Sequence, residues 1–213
     1  MNDPFECLAQ VDRSFTPDKI NDFRDYIRDA KHDKLDILRR CDDVHFSSHI
    51  NYLRKVLIEK WAFCALSRNY NDILMWSYYA NGHNGMVVGF DFKKQKDRKI
   101  FQKVNYKNSL GDFDLNIYAD FLQGKYLLPK LLKDISIKAE CWKREKEWRL
   151  WRLEPGYHQY SPQEVSSVHF GVSCDPQTEI RVRKAFSYIT HGDFNYFKMQ
   201  FTDTPIRLTC KLH

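Results

Sequence analysis

The sequence predicts one α+β domain with a mixed or antiparallel sheet and a helical insert near its amino-terminal end. Three observations predict it. Apolar residues recur at helical spacing through about 16–60, strand-like runs dominate about 61–213, and those runs follow no regular βαβ rhythm. A length of 213 residues suits a single domain over 1–213 with a core of ordinary size.

Each element has a local cause. Thr16-Pro17-Asp18 offers a cap, a first-turn proline and an acid against the helix dipole, and Ile20, Phe23 and Ile27 follow on one stripe. Leu35, Leu38 and Cys41 mark a second helix, and Ile50, Leu53 and Leu57 a third. Trp61–Leu66 reads as a buried strand, Asn69–Asp72 as a turn and Ile73–Ala80 as a short helix ended by Gly82. Met86–Phe92 is rich in β-formers, and Lys99–Tyr106 alternates as one strand. A helix over Asp114–Leu122 carries Leu115, Tyr118, Ala119 and Leu122. Gly124 and Pro129 interrupt it before Leu131, Leu132 and Ile135. Glu145–Leu153 and Val165–Phe170 are strands, Asp175-Pro176 starts a helix through Ala185, and Phe197–Phe201 and Ile206–Leu212 close the fold.

Composition narrows the function classes. The net charge of +6 suits an anionic partner such as a nucleotide or nucleic acid, although the charges are spread along the chain as on any solvated surface. The six cysteines form no C-x-x-C pair, which points to free thiols in a reducing cytoplasm. No apolar run approaches the ~20 residues that span a bilayer, so no membrane partner is expected. The P-loop, G-x-G-x-x-G and G-x-S-x-G motifs are absent.

Two constellations carry candidate chemistry. On a strand, Glu145, Glu147 and Arg149 share one face, where two carboxylates and a guanidinium tune one another and grip hydroxyls. The bland alternative is an exposed face of weak ion pairs. On the Ile73–Ala80 helix, Trp76 and Tyr79 share a side and offer a wall for a flat ring. His83 in the following loop is an acid, base or phosphate donor. The plain reading is that Trp76 is core and His83 caps the helix. Ser67 suits a ribose contact or a simple turn. Asn2, Asp3 and Glu6 suit a pocket rim or turn chemistry, and His45 and His49 have the i, i+4 spacing of a metal pair without further ligands.

Four segments bear a resemblance. Asn2-Asp3-Pro4-Phe5-Glu6, the run from Phe63 through Met75-Trp76-Ser77-Tyr78-Tyr79-Ala80 to His83 and Gly85, Trp142–Leu150 with its W-x-x-E-x-E-W-R pattern, and Val168-His169-Phe170-Gly171 resemble a bacterial domain-of-unknown-function family, DUF2971. Members of that family carry a further strand before the N-D-P-F element. Its absence here implies an exposed sheet edge, and with it a possible homo-oligomer. The E-x-E spacing further resembles that of ADP-ribosyltransferases, which implies a split sheet and NAD as a substrate, with no certain cofactor. That likeness casts Glu147 as the carboxylate that stabilises an oxocarbenium-like state, with Glu145 and His83 as its catalytic partners. Trp76, Tyr79, Ser67, Arg149, Asn2 and Asp3 would hold substrate, in a toxin or phage-defence setting. The alternatives are a non-catalytic nucleic-acid- or protein-binding module and a metal-dependent nuclease built on Glu145, Glu147 and His83.

Overall fold

A computed structural model describes residues 15–59, 61–92, 101–108, 114–125, 128–152, 155–188, 194–203 and 206–213. Asn2, Asp3, Glu6, Lys99, Ile100 and Leu153 lie outside them. In chain order the elements begin α1 (Pro17–Tyr26), α2 (Asp33–Arg40), α3 (Asp43–Glu59), β1 (Ala62–Ser67), α4 (Ile73–Tyr79), β2 (Met86–Phe90), β3 (Phe101–Lys103) and β4 (Asn105–Lys107). They continue with α5 (Leu115–Leu122), α6 (Leu128–Ile135), β5 (Ile137–Ala139), β6 (Glu147–Arg152), β7 (Val165–Phe170), α7 (Pro176–Ser187), β8 (Asn195–Asp203) and β9 (Ile206–Leu212). The fold is α+β with several sheets, mixed and antiparallel. The chain forms two compact units. The first takes in residues up to Leu66 and Lys99–Gly156, and the second Ser67–Arg98 and Tyr157–His213.

In the first unit, α1 starts at Pro17, where the Thr16 hydroxyl accepts the Lys19 N–H at 3.4 Å. The inward stripes of α1, α2 and α3 (Ile20, Phe23, Ile27, Leu35, Leu38 and Phe46) close on Leu115 and Ala119 of α5. Tyr118, Leu131, Leu132 and Ile135 form a second core with Trp151 of β6, and Phe63 of β1 packs on it. The sheet order is β1-β6-β3.

The single strand expected over Lys99–Tyr106 is instead two. The Val104 N–H donates to the Glu147 carbonyl at 3.0 Å, and the next N–H, from Asn105, donates to the Ser136 carbonyl at 2.8 Å. The backbone thus changes partners within one residue. β3 pairs antiparallel with β6, while β4 pairs parallel with β5. The strand expected to begin at Glu145 begins at Glu147, because residues 140–145 wind into a 3-10 turn and Lys146 is left-handed with φ 46°.

The second unit is a four-stranded mixed sheet in the order β2-β7-β8-β9. Alternate side chains serve opposite faces. Val87, Met199 and Leu208 pack with Trp76 and Ala80 around α4, and Val88, Val168 and Phe170 pack with Val182 and Phe186 of α7. Asp72 and Asp175 cap α4 and α7 by accepting two backbone N–H groups each. β2 is shorter than expected: Phe92 falls outside it, and the Asp91 N–H turns to the Glu164 carbonyl at 2.6 Å. Among the described residues no helix is long and apolar enough to cross a membrane, and Cys41, Cys64, Cys141, Cys174 and Cys210 are free.

Candidate functional site

The first unit buries four charged side chains together. Arg149 is 0 % exposed, Glu147 3 %, and Glu145 and Lys138 5 % each. β6 turns Glu147, Arg149 and Trp151 inward by its two-residue period. Glu145 arrives from the 3-10 turn, and left-handed Lys146 lets the chain reverse pitch between the two acids. Lys138, on β5, reaches both carboxylates: its ammonium lies 2.6 Å from Glu145 Oε2 and 3.0 Å from Glu147 Oε2. The other oxygen of Glu147 accepts from Arg149 Nε at 2.8 Å.

Two cations and two carboxylates balance, which is the condition under which such burial is tolerable. Burial alone would lower the pKa of the Lys138 ammonium, but the hydrogen bonds and charges of Glu145 and Glu147 outweigh it and raise it. Aromatic rings border the cluster. Phe63 lies 4.3 Å from the Arg149 guanidinium carbon and Trp142 5.2 Å from the Lys138 ammonium. The Glu147 N–H donates to the Tyr106 hydroxyl at 2.8 Å, and burial raises the pKa of that half-buried phenol. The acidic pair therefore does not lie on an exposed strand face of surface ion pairs. It is buried, where a charge interacts more strongly than it does in water.

The aromatic and histidine candidates lie in the second unit. Trp76 is 2 % exposed, packs with Met199 and Leu208, and donates its indole N–H to the Tyr70 carbonyl at 2.7 Å. It is a core residue, not the open wall for a flat ring that helical spacing suggested. Tyr79 is exposed and meets Tyr78 edge to face. His83 has φ 67°, and its Nε2 lies 3.0 Å from Ser77 Oγ, which itself donates to the Ile73 carbonyl at 3.0 Å. The hydroxyl proton is thus committed, so Nε2 donates, and Nδ1 is buried without a hydrogen-bond partner among the described residues. The His83 carbonyl accepts from Ser173, and that of Gly85 from Gly171 at 2.9 Å. Two sequence blocks far apart in the chain are thereby stitched backbone to backbone.

The remaining candidates are plainer. Ser67 Oγ accepts the Asn69 N–H at 2.8 Å as a turn serine does. His45 Nδ1 bonds Asp42, and His49 Nδ1 bonds the His45 carbonyl. No group of three or more His, Cys, Asp or Glu at metal-holding geometry occurs among the described residues. Between Glu145 and Glu147, where a nuclease would place a cation, stands the Lys138 ammonium.

Sequence reasoning missed Lys138 and Tyr106. The one available signal was a lone lysine in the short stretch Ser136–Ala139 directly after an amphipathic helix.

A family described as "Protein of unknown function (DUF2971)" has a model that matches residues 75–150, a span that takes in α4 from Met75 onward and His83 at one end and Glu145, Glu147 and Arg149 at the other. The Asn2–Glu6 and Val168–Gly171 blocks lie outside the match. No curated protein and no solved structure matches the chain.

Proposed function

We propose, taking residues 75–150 as the DUF2971 segment that they match, that this protein is an ADP-ribosyltransferase-like enzyme acting on NAD or a related nucleotide. A bacterial source and a toxin or phage-defence setting are attached on resemblance alone, and the cytoplasm on the unclustered cysteines. One observation carries the reading: two carboxylates two residues apart are held by a shared lysine, all three being 5 % exposed or less. When the bond between nicotinamide and ribose breaks, the ring leaves with the electron pair and positive charge grows on the ribosyl carbon. An acceptor nucleophile then forms the new bond. A carboxylate aimed at that carbon from a low-dielectric site stabilises the transition state more than the ground state. Glu147 takes this part in the proposal. Lys138 and Arg149 fix its orientation, and Glu145 holds Lys138. Glu147 is enclosed, so turnover requires half-buried Tyr106 and Trp142 to yield.

The complete pairing of the four charges favours a second reading, in which the cluster is a structural knot that anchors β6. One experiment separates them. Under the enzyme reading, Glu147→Gln lowers NAD turnover by about 10²–10³-fold while the near-ultraviolet circular dichroism stays that of the wild type. Wild-type protein that leaves NAD intact, with a variant that differs only in unfolding midpoint, removes the enzyme and leaves the knot.

A further inference from the structure

A concavity of about 580 Å³ in the second unit lies outside everything above and is lined by α7, the turn before it, β8 and His213. Its volume falls in the range of small-molecule sites. α7 contributes Pro176, Glu179, Ile180 and Arg183, which follow one another at i, i+3, i+4 and i+7 and so form one stripe.

Most of the charge on this lining is internally balanced. Glu179, 8 % exposed, holds the Lys198 ammonium on one oxygen and His213 Nε2 at 2.8 Å on the other. Lys198 also donates to the Cys174 carbonyl at 3.0 Å. Burial alone would raise the pKa of the Glu179 carboxyl, but these hydrogen bonds hold it below its ordinary value, so it stays an anion.

Arg183 is different. Its guanidinium carbon lies 4.2 Å from the Tyr196 ring centre and 5.6 Å from that of Phe170, and it donates to the His213 main-chain oxygen at 3.3 Å. No side-chain carboxylate pairs with it among the described residues. The rings fix the plane of a weakly hydrated cation while several N–H groups keep capacity to donate, which is a preorganised fork for an oxyanion. Ile180, 57 % exposed, and Pro176 supply apolar surface on the same stripe.

We propose that this concavity binds a small oxyanion, a carboxylate or phosphate carried on a short apolar stem, with Arg183 holding the charge and Ile180 the stem. The proposal does not depend on the chemistry assigned to the first unit.

Titration of the full chain with sodium butanoate, with inorganic phosphate and with neutral butanamide tests it, followed by backbone amide shifts and calorimetry. At least one anion shifts the Ile180 and Arg183 amides saturably, and butanamide does not. Arg183→Gln weakens that binding at least ~10-fold, and Arg183→Lys weakens it less, because charge without the planar fork is kept. Tighter binding of butanoate identifies a carboxylate with a stem, and tighter binding of phosphate a phosphate group. No saturable shift with either anion, equal binding of butanamide, or undiminished binding by a folded Arg183→Gln protein overturns the proposal. Should that variant fail to fold, undiminished binding by Arg183→Ala or an absence of shifts around α7 in the wild type decides against it equally.

Discussion

Replacing Lys138 by methionine keeps the length of the side chain and removes its charge. Glu145 and Glu147 then lose the ammonium they share in a buried site, while Arg149 still bonds Glu147. Breaking a buried ion pair by removing one partner costs about 3–5 kcal/mol, so Lys138→Met is expected to lower the unfolding free energy by that order. Urea unfolding at pH 7 checks it. His169 gives the wild type a pH-dependent stability. It is 8 % exposed, stacked 4.6 Å from Phe197, and burial lowers its pKa. Between the folded value and the unfolded value near ~6.5, the unfolded chain binds the extra proton, so stability falls as pH drops below about 6.5. His169→Phe should flatten that part of the stability–pH curve, read by denaturant midpoints from pH 7.5 to 5.5.

At the scale of elements, Gly171 illustrates a fixed crossing. A Cβ there would lie 2.0 Å from the His83 carbonyl oxygen and 3.1 Å from that of Gly85, both backbone atoms that have nowhere cheap to go. Gly171→Ala is therefore expected to cost about 1–3 kcal/mol or more and to raise hydrogen exchange in β2 and β7 before it does so in α1–α3. Helix starts were legible in the sequence because their chemistry is local. Thr16-Pro17-Asp18 and Asp175-Pro176 cap the helices they announce. Strand partners were not legible. The alternation from Lys99 to Tyr106 is continuous in sequence, yet the hydrogen-bond partner changes at Val104, and side-chain period carries no record of that. The acidic pair was legible as a pair but not as buried, because Lys138 enters from another strand and a single lysine gives no sign of its depth. Trp76 was ambiguous for the same reason: helical spacing names a shared side and does not say what covers it.

At the scale of the whole chain, both units are discontinuous. Each is assembled from two stretches, so the backbone passes from one to the other after Leu66, after Arg98 and after Gly156. A fragment cut after Gly156 would hold β2 without β7, its hydrogen-bonded neighbour. We expect that fragment to lose α4 as a protected helix while α1–α3 persist, an outcome that hydrogen exchange would show directly. The Met86–Phe170 pairing has a temporal side as well. During synthesis the mate of β2 is made about 84 residues later, roughly 4–17 s at ~5–20 residues per second. For that interval an apolar ribbon waits beside the ribosome with its hydrogen-bonding groups unclaimed, the kind of surface that molecular chaperones shield in nascent chains.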